Sequence, residues 1–481
     1  MRILDKLEPK SVYYYFEDIC NIPHGSKNLD GISSYLEQFA KDRGLFYIRD
    51  KSNNVIIVKE ATKGYEGVEP VILQGHMDMV AVKRQDCDID MSKDPLRLKV
   101  DGDYVYAEGT SLGGDDGIAV AYILAVLDSD KIKHPRIEAV ITTDEEIGMD
   151  GATAIDISML KANRMLNIDS EDEGILLTGC AGGARVDCNI PVNRENKKGI
   201  FYSVVLEGLK GGHSGTEIDK ERANAIKLIG RALKMAAAEI PIQIAELCGG
   251  EKDNAIPIEA HSILYIPLDA EDVFKEKITE IEKILKNEYQ SKEKDLSIKC
   301  VKLQESEKSV LKVTDSLKIL NFLSLLPNGV IAMSADIRGL VETSLNVGTM
   351  RLSNERFETG SSVRSSIESA KENLIDQLTT LSNVFGGKVT ISGEYPGWQY
   401  NPDSKLRNMM VEVYEEMYHE KPKVEAIHAG LECGIMISKK PGLDCVSFGP
   451  NIYDIHTTDE KLSISSTKRT WEYLIKILER K

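Results

Sequence analysis

Residues 71–80 read VILQGHMDMV: an apolar run broken by Gly75, after which His76 and Asp78 stand two positions apart. A short apolar run stopped by glycine marks a buried strand. Alternate side chains of an extended chain share a face, so this imidazole and carboxylate point the same way. Alone, the pair is no more than a surface hydrogen bond at a strand end. The sequence around it repeats the plan. Residues 54–58 (NVIIV) and 137–143 (IEAVITT) form further buried strands, and 165–169 (MLNID) forms another that ends in an acid. Between them, 117–127 (GIAVAYILAVL) is a helix apolar on every side. Strands alternating with helices predict an α/β fold, a mixed, mostly parallel sheet with helices on both faces. Functional residues of such sheets gather outside the carboxyl ends of the strands. The acids and histidines of this chain fall there.

With 481 residues the chain has room for more than one core. Its 60 Lys+Arg against 77 Asp+Glu give a formal charge of −17, which disfavours nucleic acid and anionic membranes as partners. The eight cysteines show no C-x-x-C spacing, so neither a zinc ribbon nor a redox pair is suggested. Residues 1–10, MRILDKLEPK, lack the apolar core of a signal peptide. No apolar run nears the roughly 20 residues of a membrane span, and a soluble, cytoplasmic protein with reduced cysteines is expected. Composition shifts near 182–185 (GGAR) and shifts back near 393–398 (GEYPGW). The expected layout is one domain split into 1–184 and 396–481, with an α+β domain inserted at 185–395. The insert holds two successive runs of strands and helices, 201–286 and 312–392, which suggests an internal duplication.

Four clusters join the opening pair: GGDDG at 113–117, TTDEEIG at 142–148, NIDSE at 167–171 and DIHTTDE at 454–460. Each has a plain structural reading, Asp115 as a helix cap, Glu145 and Glu146 as a solvated turn, Asp169 as an Asx-turn, His456 as a loop residue. Taken together, two histidines and several carboxylates at the strand ends of one sheet suit a pair of zinc-like ions. One ion is expected on His76 and Asp169 and the other on Glu146 and His456, with Asp115 bridging. Imidazole ligands favour zinc, cobalt or manganese over an all-oxygen magnesium or calcium cage. Adjacent glutamates do not readily hold one ion in the same way, so Glu146 is assigned as ligand and Glu145 as general base.

The patterns G-H-x-D, G-G-D-D-G, D-E-E-x-G, N-I-D-S-E and a late histidine resemble the M20 family of dizinc peptidases. Residues 74–80, 108–117, 167–174, 211–215 (GGHSG) and 428–434 (HAGLECG) carry a narrower likeness to its dipeptide-hydrolysing members. The resemblance implies the metal ligands His76, Asp115, Glu146, Asp169 and His456, with Glu145 as base. It places Asp78 behind His76, its carboxylate taking the second ring N–H, and implies a cis peptide at Asp115–Asp116. The inserted segment is then the family's lid. His213 resembles the lid histidine that stabilises the oxyanion, and Asn254 and Arg364 look like substrate-side groups. Arg364 suits a peptide carboxylate, and the stretch beginning at Gly430 offers helix N-terminal amides to the same group. His428 and Glu432 stay unassigned, and His24, His134, His261 and His419 are read as ordinary residues.

The expected function is metal-dependent hydrolysis of dipeptides, broad in side chain and including Xaa-His, with two divalent ions per subunit. An N-acyl amino acid deacylase or carboxypeptidase on the same centre is the nearest alternative, and a non-catalytic metal-dependent binding protein is a third. Small peptides are the expected partners. Both monomer and homodimer stay open, since a long, duplicated lid lets one chain supply its own His213.

Overall fold

The apolar runs of the first third form one sheet. The computed structural model describes residues 2–481. In chain order the strands are Phe46–Arg49 (β1), Val55–Lys59 (β2), Val71–His76 (β3), Ile137–Thr142 (β4), Arg164–Asn167 (β5) and Ile175–Cys180 (β6). Lys423–Ile427 and Asp444–Ser447 join them from the far end of the chain. Across the sheet the order is β1, β2, β4, β3, β5, Asp444–Ser447, β6 and Lys423–Ile427. The central strands β4, β3, β5 and Asp444–Ser447 are parallel, while β1 and β2 run antiparallel at one edge. Both β3 and β4 are buried along their whole length, as parallel strands covered by other elements are.

Three early helices, Lys10–Cys20 (α1), Asp30–Asp42 (α2) and Gly114–Asp128 (α3), pack into the same core. Helix α3 is apolar all round and therefore wholly enclosed: no residue from Ile118 to Val126 exceeds 1% exposure. It closes on β3 because position 75 is glycine. A Cβ there would lie 2.5 Å from Asp116 Oδ2 and 2.7 Å from the Cβ of Ala119. A second, four-stranded antiparallel sheet pairs Leu98–Asp101 and Tyr104–Ala107 with Ile452–Tyr453 and Lys461–Ser463. It brings the end of the chain beside the segment that leads into α3.

By its internal contacts the chain divides into two units, Met1–Gly179 with Tyr400–Ala426 and Leu431–Lys481, and Cys180–Gln399 with Ile427–Gly430. The second unit is built on Gly182–Pro191 (β7), Phe201–Glu207 (β8), Gln243–Gly249 (β9), Ala260–Tyr265 (β10), Ser297–Lys302 (β11), Val341–Leu352 (β12), Arg356–Ser365 (β13) and Lys388–Tyr395 (β14). Its helices are Ala225–Ala237 (α4), Glu271–Tyr289 (α5), Val313–Leu325 (α6) and Glu368–Val384 (α7), and their apolar faces share one core with the sheet. The strand order is β11, β8, β10, β9, β12, β13, β7, β14. Outward from the β9–β12 junction, each half repeats the same order of equivalent strands. One half runs β8-α4-β9-β10-α5-β11 and the other β7-α6-β12-β13-α7-β14.

The two halves are nested, which corrects the expectation of successive runs. Strand β7 opens its half, and the whole of the other half intervenes before α6 resumes it. Pairing of β7 with β13 and β14 is invisible to a reading of contiguous segments. No helix among the described residues is long and apolar enough to cross a membrane.

Candidate dinuclear metal site

The ligand-type residues of the first unit converge at the carboxyl ends of β3, β4 and β5. His76 ends β3, Asp169 lies two residues past β5, and Glu145 and Glu146 sit in a 3-10 turn just after β4. Asp115 is in the first turn of α3, and the Asp115–Asp116 peptide is cis. His456 comes from the loop between the two C-terminal strands of the small sheet, at φ 62°. Asp115 stands between the two imidazoles: Oδ1 is 3.1 Å from His76 Nε2 and Oδ2 is 3.2 Å from His456 Nε2. Asp169 Oδ1 lies 3.5 Å from His76 Nε2, and Glu146 Oε2 lies 3.0 Å from His456 Nε2.

The donor set fits divalent cations. Three groups bring ligand atoms within 4.8 Å of one another: His76 with Asp116 and Asp169, His76 with Glu145 and Glu146, and Asp115 with Glu146 and His456. Glu146 Oε1 is buried with no hydrogen-bond partner, an acceptor without a donor. Electrostatics agree. Burial pushes the His76 imidazole down, but Asp169, Asp115 and Asp78 outweigh it and hold it well above its usual value. Hydrogen bonds to Asp115 and Glu146 lift His456 to about 10. Burial raises Glu145, Glu146 and Asp169, and like-charged carboxylates add to the rise in each. Asp115 goes the other way, because its contacts with His456 and His76 overcome its burial. A pocket of crowded carboxylates that draws protons onto both imidazoles is one that cations neutralise.

Asp78 departs from its expected contact. The nearest partner of His76 Nδ1 is the Asp78 main-chain oxygen at 3.0 Å, and the carboxylate Oδ1 is 3.5 Å away. The backbone turns just past β3 and places its own carbonyl under the ring. The Asp78 carboxylate is left to accept from the Glu145 amide at 3.1 Å and the Ser26 hydroxyl at 2.8 Å. It therefore orients the glutamate turn as much as the imidazole.

Other residues were missed. Asp116 Oδ2 accepts from the His76 amide at 3.1 Å, so both acids of the GGDDG motif face β3. Beneath the site, Gln74 on β3 accepts from Asn167 on β5 at 2.5 Å and donates to Thr142 on β4 at 3.2 Å. Glu432, the first residue of Glu432–Lys439 (α8), completes this network: its Oε2 accepts from Gln74 at 2.5 Å and Thr142 at 2.6 Å. Burial lifts this carboxyl to about 7. Each strand of the network delivers a ligand-type residue within four positions, so these polar contacts fix the strands' relative heights. A lone buried Gln or Asn gives no sequence signal for this.

The second unit gathers its own predicted residues. His213 pairs with Ala255 in a two-residue ladder, and the Ser214 amide donates to the Asn254 carbonyl at 2.9 Å. A Cβ on Gly215 would lie 3.0 Å from His213 Cε1, 3.3 Å from Arg364 Cζ and 2.7 Å from the His428 carbonyl oxygen. His213 Nδ1 accepts from the Gly215 and Thr216 amides at 3.3 and 3.1 Å, which leaves Nε2 to carry the proton of the neutral ring. Burial and the nearby Arg364 keep that ring below its usual value. Arg364 is 8% exposed; Nη1 donates to the Tyr395 hydroxyl at 2.9 Å, while Nε has no partner. His428 is hydrogen-bonded to Ser344 at 2.7 Å and lowered to about 4 by burial and Arg364. Gly430 lies two residues before α8.

The donor set suits a metal-dependent hydrolase, and the family model of Peptidase family M20/M25/M40 matches residues 72–480, which makes it a metallopeptidase. The chain belongs to that family. It is 38% identical to the cytosol non-specific dipeptidase of Escherichia coli strain K12 over 481 residues, 100% of this chain and 99% of that protein. The crystal structure of aminoacylhistidine dipeptidase from Vibrio alginolyticus matches with a TM-score of 0.94 at 38% identity, covering 99% of this chain and 97% of that one. A Staphylococcus aureus tripeptidase, at 17% identity and a TM-score of 0.55 over 98% of both chains, shares the fold.

Proposed function

We propose that this chain hydrolyses dipeptides of broad sequence, Xaa-His among them, at a centre of two divalent ions, zinc foremost with cobalt or manganese as substitutes. The observation that carries the reading is Asp115, its two oxygens 3.1 and 3.2 Å from the Nε2 atoms of His76 and His456. The full-length likeness to proteins named as non-specific and aminoacylhistidine dipeptidases supports the choice of substrate.

His76 and Asp169 would hold one ion, Glu146 and His456 the other, with Asp115 between them. Bound there, two divalent ions would supply Lewis acidity for the scissile carbonyl and a more acidic water. Glu145 takes the proton of that water and delivers it to the leaving amine. Its amide is held by Asp78, which keeps the base from turning away. His213 offers its Nε2–H to the developing oxyanion. Arg364, with an unpaired Nε in a buried setting, suits the terminal carboxylate of a short peptide, with Asn254 and the Gly430 amide as further polar contacts.

An unblocked dipeptide and an N-acetyl amino acid share the scissile amide and the C-terminal carboxylate and differ in the free amino group, and the likeness to proteins named as dipeptidases favours the unblocked substrate. Amine release from an unblocked dipeptide and from an N-acetyl amino acid, measured on the same preparation, separates the two chemistries. Cleavage of the dipeptide alone is expected; preference for the N-acetyl compound would assign the chain to deacylation instead.

A further inference from the structure

We infer that Glu460 is a positioning residue of the metal centre: its carboxylate fixes the separation of Asp115 and His456, ligands from opposite ends of the chain. The inference rests on the dinuclear reading above. Glu460 is 3% exposed. Its Oε2 accepts from the amides of Leu112 and Gly113 at 2.8 and 3.0 Å, and its Oε1 from those of Gly114 and Asp115 at 2.8 and 3.3 Å. One carboxylate thus takes four consecutive backbone donors at the start of α3, where no intrahelical acceptor exists for them. An ordinary helix cap uses one short side chain from the residue before the helix. Here the cap comes from the far end of the chain and grips the turn that carries a ligand.

The turn is held from its other side as well. A Cβ on Gly113, at φ 68°, would lie 2.8 Å from Met79 Sδ and 3.2 Å from His24 Nε2. On the Glu460 side, the loop is closed by Thr457, whose hydroxyl donates to the Asp454 carbonyl at 2.7 Å and whose carbonyl accepts from the Glu460 amide at 3.4 Å. Just beyond, Lys461–Ser463 is paired to Tyr104–Ala107. His456 lies inside this closed loop, four residues before Glu460. Fastening Glu460 to the Leu112–Asp115 turn therefore sets the 3.2 Å contact of Asp115 Oδ2 with His456 Nε2. A glutamine fits poorly, since its single carbonyl oxygen meets two of the donors and its NH2 group opposes the other two.

The test is a titration of metal-free protein with cobalt(II), followed by visible absorption and calorimetry, for wild type, Glu460→Gln and Glu460→Asp. Thermal melts of the metal-free forms run alongside. Two ions should bind the wild type; if none binds, the metal-centre reading itself fails. In Glu460→Gln the ion on Asp115, Glu146 and His456 should weaken by roughly 10- to 100-fold, with an altered cobalt spectrum. The ion on His76 and Asp169 shares Asp115 and should weaken less, because its other two ligands are set by the sheet and not by Glu460. Glu460→Asp, which keeps the charge and both acceptor atoms, should recover part of the loss. Unchanged affinities in Glu460→Gln would overturn the inference. So would equal weakening of both ions in step with a lower melting temperature, the mark of a purely structural role. Should Glu460→Gln not fold, selective weakening in Glu460→Asp supports the inference and wild-type affinities there overturn it.

Discussion

Replacing Glu145 by glutamine is expected to lower kcat on a dipeptide by roughly 100- to 10,000-fold, the range a positioned general base contributes, while two metal ions still bind. Glutamine keeps the size of the side chain and leaves the main-chain amide on Asp78, but it has no site for a proton taken from water. The surroundings suit a base: burial and the neighbouring Asp169, Glu432 and Glu146 raise the affinity of Glu145 for a proton. Metal content measured beside turnover makes the result specific. Near wild-type turnover would remove Glu145 from the base role. Loss of an ion together with turnover would make it a ligand, since its carboxylate lies in one ligand group with His76 and Glu146.

Changing His213 to alanine should lower kcat by about 100- to 1,000-fold, the usual cost of removing one oxyanion donor, with KM and metal affinity little changed. The imidazole's own hydrogen bonds run to the Gly215 and Thr216 amides within the second unit. Those contacts fix its tautomer. Two amides donate to Nδ1, so the neutral ring presents an N–H at Nε2, and burial with the neighbouring Arg364 disfavours a second proton. An effect confined to kcat is the signature of a group used in the transition state. A rise in KM alone would make His213 a binding residue, and kcat within a few-fold of wild type would remove it from the chemistry.

Much of the first unit was legible because β3 and β4 are buried along their whole length and α3 is apolar all round, so apolar runs and their breaks mark these elements directly. The ligand-type residues were legible for the same reason: His76, Asp169 and the Glu145–Glu146 pair each follow an apolar strand by no more than four positions. What joins them was not. The small sheet pairs Leu462 with Val105 across most of the chain length, and no local pattern announces that contact. The same distance hid Glu460, which looked like one more acid in a charged loop until its four amide partners were seen. Asp78 was placed behind His76 by the shared strand face and the family resemblance; the turn after β3, which puts a main-chain carbonyl closest to His76, lies beyond what either describes. Duplication in the second unit was readable from two runs of similar elements, but its nesting was not, because β7 is separated in sequence from the half it completes.

Reconstitution tests the dinuclear hydrolase most directly. Protein stripped with a chelator and dialysed should release no amine from an unblocked dipeptide, and stepwise addition of zinc should restore turnover, saturating at two equivalents per chain. Full activity in the stripped protein, or none after two equivalents of zinc, cobalt or manganese are bound, would contradict it.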